Sequence, residues 1–132
     1  MSNITKNNPL VSIIMNCRNS QEYLPEAIDS VFAQSYTHWE IIFWDNASTD
    51  DSATIAQGYG EKVRYFRGDT AIALGQARNL AMTEAKGRYL SFLDCDDKWF
   101  PQKLQKQVEL LEIRKDIDFA YSNYFRLIMP KT

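Results

Sequence analysis

The run Leu10-Val11-Ser12-Ile13-Ile14-Met15 is apolar and rich in β-branched residues, and Asn16-Cys17-Arg18-Asn19-Ser20 ends it with turn formers. That pattern reads as a buried strand. From Leu24 the apolar residues Ala27, Ile28, Val31 and Phe32 fall on one face of a 3.6-period helix. Pro25 stands in its first turn, where the missing N–H costs little. Glu40-Ile41-Ile42-Phe43-Trp44 predicts a second strand, followed by the polar turn Asp45-Asn46-Ala47-Ser48-Thr49-Asp50-Asp51. A short helix through Ile55 and Ala56 stops near Gly58-Tyr59-Gly60, and Val63-Arg64-Tyr65-Phe66 is a brief third strand. The Ala-rich stretch 74–85 predicts a helix with Leu74, Ala77, Ala81 and Ala85 turned inward and Gly87 as its stop. Residues 88–93 form a fourth strand, ended by Asp94-Cys95-Asp96-Asp97. Pro101 then opens a helix whose buried stripe is Leu104, Val108 and Leu111, and residues 118–123 suggest a fifth strand.

Strand–helix alternation with continuous apolar strands implies an α/β domain: a mostly parallel sheet flanked by helices on both faces. Residues 1–9 read as a flexible tail and residues 10–132 as one domain, with no repeat and no interdomain linker. Such sheets bind ligands outside the carboxyl ends of their strands. Polar groups stand at those ends: Asn16-Cys17-Arg18-Asn19, Asp45-Asn46 and Asp94-Cys95-Asp96-Asp97.

Composition narrows the partners. The formal net charge of −2 over 132 residues gives no electrostatic footprint for nucleic acid. No apolar run approaches the roughly 18 residues of a membrane span, and the first residues lack the apolar core of a signal peptide. Two cysteines and one histidine leave no basis for a disulfide framework or a structural zinc site. Trp39, Trp44 and Trp99 are expected in the core or a cleft wall, His38 in a polar loop, and Cys95 as a small packed thiol.

The acidic cluster carries the chemistry. On extended backbone Asp94 and Asp96 point the same way, and two adjacent carboxylates resist ionising together unless a cation lies between them. Oxygen-only ligation by one or two carboxylates plus phosphates suits Mg2+ or Mn2+, which would offset charge on a departing diphosphate. Asp97 is expected to point elsewhere, as an N-terminal companion of the helix at Pro101. As solvated turn residues these acids would do nothing further; their position directly after a buried strand favours the metal. The chain has no Gly-Lys dipeptide and hence no P-loop, and Gly58-Tyr59-Gly60 follows a helix, unlike a dinucleotide fingerprint.

Four segments recur in a familiar order: Val11-Ser12-Ile13-Ile14; Glu40-Ile41-Ile42 leading to Asp45-Asn46-Ala47-Ser48-Thr49-Asp50; Ala77-Arg78-Asn79; and Phe92-Leu93-Asp94-Cys95-Asp96-Asp97. With them the chain, from Leu10 to about Tyr124, resembles the N-terminal half of family 2 inverting glycosyltransferases of the Rossmann-like GT-A fold. The resemblance implies a nucleotide-sugar-binding half in which Asp96, the catalytic residue, contacts the metal and Asp94 supports the ribose or the metal's water shell. It implies that Asp45 and Asn46 read the nucleobase and ribose, and that Arg78 lies near the nucleotide. Cys17, Arg18 and Asn19 then form the turn bordering the base. The family's Pro-Thr-Tyr-Asn is replaced here by Asn16-Cys17-Arg18-Asn19, so a guanidinium plane stands where an aromatic ring would stack. Asn46 replaces the second acid of the pair, and its amide can accept from a ring N–H without carrying charge.

The function so implied is transfer of a sugar from a nucleotide diphosphate sugar to a hydroxyl of a glycan or lipid-linked acceptor in polysaccharide biosynthesis, with inversion. Uridine is the first choice of base, ahead of deoxythymidine and guanosine. The reaction would take place in the cytoplasm, at the inner face of the membrane. The acidic general base is expected beyond Thr132, so the chain reads as a donor-binding half truncated before the acceptor-binding part. Two rivals stand beside this reading. One is a non-catalytic nucleotide or sugar binder. The other is a phosphoacceptor signalling domain, which would need an aspartate pair after the first strand where Asn16-Cys17-Arg18-Asn19 has no acid.

Overall fold

The computed structural model describes residues 8–120. Four strands, β1 (Val11–Cys17), β2 (Trp39–Asn46), β3 (Val63–Gly68) and β4 (Tyr89–Phe92), alternate with four helices, α1 (Leu24–Phe32), α2 (Ser52–Gln57), α3 (Leu74–Thr83) and α4 (Lys103–Ile113). The sheet order is β3-β2-β1-β4 and every pair is parallel. All four carboxyl ends therefore lie along one edge.

Strand alternation divides the core in two. Ile13, Met15, Ile41 and Phe43 pack on one face with Leu24, Ala27, Ile28 and Val31 of α1 and with Leu104 and Val108 of α4. Ile14 and Ile42 face the other way, onto Ala81 of α3. The small alanines Ala77 and Ala81 let α3 lie close to the strands. Helices thus cover both faces. Trp39 is buried, and Trp44 and Trp99 are partly buried against the core, as expected.

Several boundaries differ from the sequence reading. β1 and β2 each continue two residues further, because Asn16 and Cys17 pair with Trp44 and Asp45. Leu74 is 54% exposed, since the α3 stripe is carried by the alanines. Phe32, 42% exposed, leaves the α1 stripe and stacks edge-on against Trp39. α4 begins at Lys103, two residues after Pro101. Pro9, read as tail, is buried and its carbonyl accepts the Tyr36 hydroxyl; residues 1–7 lie outside the described residues. Of the expected fifth strand, residues 118–120 are not in a strand, Phe119 is 76% exposed, and the remainder lies outside the described residues.

Gly87 also changes role. α3 ends at Thr83, and Gly87 instead lets the chain entering β4 pass against β1. Its N–H donates to the Ser12 hydroxyl at 2.8 Å, and an added Cβ would stand 2.6 Å from the Ser12 nitrogen and 2.8 Å from the Leu10 carbonyl. Beside it the buried Glu40 carboxylate accepts from Ser12 Oγ, Arg64 and the Lys86 N–H. The backbone atoms facing Gly87 cannot swing away as a flexible side chain would. Gly87→Ala should therefore lower stability by about 2–3 kcal/mol, seen as a reduced melting temperature; an unchanged melting temperature contradicts the close approach.

Candidate active site

The site is built from the turns that leave the strand ends. After β2 the chain needs a tight reversal, and Ala47 takes a left-handed φ of 58°, which its Cβ disfavours by about 1 kcal/mol. The turn is held from inside by Asp45. Its side chain is fully buried and accepts from the Ser48 N–H at 2.9 Å, the Tyr65 hydroxyl at 2.5 Å and Arg67 at 2.8 Å. Burial pushes the Asp45 carboxyl up, but these donors together outweigh it and hold the group below the usual carboxylate range. Arg67 also donates to the Ser48 carbonyl, closing the network.

The turn after β1 is tied to this one. Arg18 is exposed and donates to the Asn46 carbonyl at 3.2 Å. Asn19, at a φ of 51°, accepts the Thr49 N–H at 2.7 Å through its side-chain oxygen. Cys17 is buried in the core with its Sγ 3.9 Å from Ser48 Oγ. The neighbouring Cys95 holds the Cys17 thiol below its ordinary value, and Cys17, then burial, push the Cys95 thiol up. Cys95 packs inward as expected, its Sγ 3.3 Å from the Asn16 carbonyl. The Asn46 carboxamide bonds both backbone polar groups of Ile72: Nδ2 donates to the carbonyl at 2.8 Å and Oδ1 accepts the N–H at 3.0 Å. Asn16 Nδ2 and Trp44 Nε1, register partners on the α3 side of the sheet, are buried without a hydrogen-bond partner among the described residues.

Beyond β4 the chain is not extended. The Asp97 N–H donates to the Asp94 carbonyl at 3.0 Å, and this turn brings one oxygen each of Asp94, Asp96 and Asp97 within 4.8 Å of one another. Asp97 therefore joins the cluster instead of serving α4, whose preceding residue is Gln102. Burial, then the neighbouring Asp96 and Asp94 charges, push the Asp97 carboxyl up. Arg78 of α3 faces the group, 3.5 Å from Asp94, with its guanidinium 5.9 Å from the Phe92 ring centroid. Three exposed carboxylates, joined by no soft ligand among the described residues, suit a hard divalent cation such as Mg2+ or Mn2+.

Tyr65, Arg67 and Ser48 escaped the sequence reading. The signal was present in strand parity: Arg67 is the register partner of Asp45, and Tyr65 lies two residues before it on the same face.

This parallel sheet covered by helices on both faces, with polar turns and an acidic cluster at its carboxyl edge, defines an α/β domain of the Rossmann-like GT-A type. The chain belongs to glycosyl transferase family 2, whose sequence profile matches residues 12–126. Over 121 residues it is 39% identical to the putative teichuronic acid biosynthesis glycosyltransferase TuaG of Bacillus subtilis, covering 88% of this chain and 47% of that one. It is 34% identical over 116 residues to the UDP-Glc:alpha-D-GlcNAc-diphosphoundecaprenol beta-1,3-glucosyltransferase WfgD of Escherichia coli, covering 87% and 46% of the two chains. The crystal structure of S. aureus TarS 1–349 in complex with UDP-GlcNAc superposes with a TM-score of 0.75 at 26% identity, over 78% of this chain and 31% of that one. The chain spans less than half the length of these relatives.

The Asp45 network gives stability a pH dependence. A carboxyl depressed in the folded state contributes fully above its ordinary value near ~4, and the contribution disappears as pH falls through the lower native value. Asp45→Asn should cost about 2 kcal/mol near neutral pH and shrink the drop in melting temperature between roughly pH 6 and pH 3. A variant with the full acid-side drop would show that Asp45 does not carry it.

Proposed function

We propose that this chain is the donor-binding part of an enzyme that transfers a sugar from a uridine diphosphate sugar to a hydroxyl of a glycan or lipid-linked acceptor, inverting the anomeric centre. The observation that carries this reading is the convergence of Asp94, Asp96 and Asp97 opposite Arg78, on the edge that also holds the turns after β1 and β2. The names of WfgD and of the TarS complex, with their UDP-linked donors, support uridine, and the diphosphoundecaprenol in the name of WfgD supports a lipid-linked acceptor. Among the described residues no helix is long and apolar enough to cross a membrane.

In this reading Asp96 and Asp94 hold Mg2+ or Mn2+, and Asp97 adds a third oxygen nearby. The cation would supply Lewis-acid stabilisation of the departing diphosphate. Arg78 adds fixed positive charge on the same side, worth most where water is excluded. Arg18 offers its guanidinium plane to the base, and the buried Asp45 network keeps the adjoining turn rigid, so little ordering is required on binding. No described carboxyl is assigned as general base; Asp116 is exposed and held by Arg114.

Calorimetric titration with UDP, with and without Mn2+, tests the assignment. Mn2+ should tighten binding, and Asp96→Ala should remove that gain, a loss of roughly tenfold or more. Absence of UDP binding under both conditions, or a metal effect that survives Asp96→Ala, would refute it.

A further inference from the structure

The chain has two cysteines, Cys17 at the end of β1 and Cys95 between Asp94 and Asp96. The fold brings them together from 78 positions apart. β1 and β4 run parallel, with Val11 opposite Tyr89 and Ile14 opposite Phe92. Their pairing carries on past β4, where the Leu93 N–H donates to the Ile14 carbonyl at 3.1 Å and the Cys95 thiol donates to the Asn16 carbonyl at 3.3 Å. Three residues beyond Ile14 and three beyond Phe92, the same register sets Cys17 abreast of Cys95. Both thiols turn to the α1 side, into the core that also takes Met15 and Leu93. Each is the strongest influence on the ionisation of the other, as direct neighbours are. Neighbouring strands lie roughly 4.8 Å apart, within the range of about 4.4–6.8 Å between Cα atoms that a disulfide spans. The two residues thus stand where a bond can close with little movement of the backbone.

We propose that Cys17 and Cys95 form a redox-closed clamp: a small organic disulfide such as oxidised glutathione joins them, and the link ties the turn carrying Asp94 and Asp96 to the end of β1. In the first step one thiolate attacks the small disulfide, forming a mixed disulfide and releasing one reduced glutathione. The second thiolate then attacks the protein sulfur of that mixed disulfide and releases the other. Two thiol protons and two electrons leave with the two reduced glutathiones, and one S–S bond remains in the protein. The clamp lies beneath three turns at once, because Cys17 Sγ is also 3.9 Å from Ser48 Oγ in the turn after β2. It does not depend on what the crevice binds.

Both thiols are covered, so the test is made at equilibrium, where access does not enter. The chain is equilibrated with mixtures of reduced and oxidised glutathione, folded in buffer and unfolded in urea. Folded chain should become two hydrogens lighter and yield a non-reduced peptide that joins Cys17 to Cys95. The squared concentration of reduced glutathione divided by that of the oxidised form, at half linkage, should be on the order of a hundredfold higher for folded than for unfolded chain. In the linked chain the Asp97 amide, which closes the acidic turn onto the Asp94 carbonyl, should exchange on the order of tenfold more slowly. An equal or lower ratio in the folded chain, stable glutathione adducts in place of the link, or a link between two chains overturns the proposal. Unchanged Asp97 exchange in the linked chain overturns the clamp while leaving the bond. These readouts use the unmodified protein, so none of them depends on a variant that folds.

Discussion

The parallel ladder that sets Val11 opposite Trp39 and Cys17 opposite Asp45 determines where the polar groups at the ends of β1 and β2 stand. A slip of one residue would turn each side chain to the other face, placing Asp45 under α3 and Asn46 in the α1 core. The register is held because both faces are buried: Ile13 and Ile41 on one side, Ile14 and Ile42 on the other, each at most 1% exposed. No shifted pairing keeps both helical layers packed. The polar chemistry of the carboxyl edge is thus fixed by apolar residues that never touch it.

Carboxylates at the two ends of the sheet answer to different physics. Glu40, near the amino end of β2, and Asp45, near its carboxyl end, are buried, and each is surrounded by donors that outweigh the cost of burial. Removing a donor there would leave a buried charge unsatisfied, so these groups hold structure. Asp94, Asp96 and Asp97 have the opposite situation: on the surface and crowded within 4.8 Å, with Asp97 pushed upward by partial burial and then by its neighbours' charges. Their mutual repulsion gives nothing to folding. It falls when positive charge arrives, and Arg78, half-exposed at 3.5 Å from Asp94, supplies only part of it. The contrast separates the acids that hold the fold from those that contribute nothing to it.

Much of this was legible from the pattern of residues. The eight described elements follow from apolar periodicity, because strands buried on both faces give unbroken runs and α1 keeps a clear stripe. The acidic cluster announced itself by position after β4. What the sequence hid were features made by the reversal of the chain. Asp97 looked outward on an extended backbone, yet the Asp94–Asp97 turn folds it in. Gly87 looked like a helix stop, yet it marks a close passage against Ser12, a contact 75 residues apart in sequence. Arg67 lay outside the expected third strand, and it is the β2–β3 register that places it on Asp45.

The last two residues of β2 show how one alternation yields two supports. Asp45 turns to the α1 side, where Tyr65, Arg67 and Ser48 close around a charge. Asn46 turns to the α3 side, where it meets a backbone N–H and a backbone carbonyl together. A carboxylate satisfies the first environment and would leave the carbonyl of the second unpaired; a carboxamide satisfies the second and would leave Arg67 without its counter-charge. The end of β2 is therefore tied down on both sides of the sheet, by an acid and then by an amide, directly before the strained turn at Ala47.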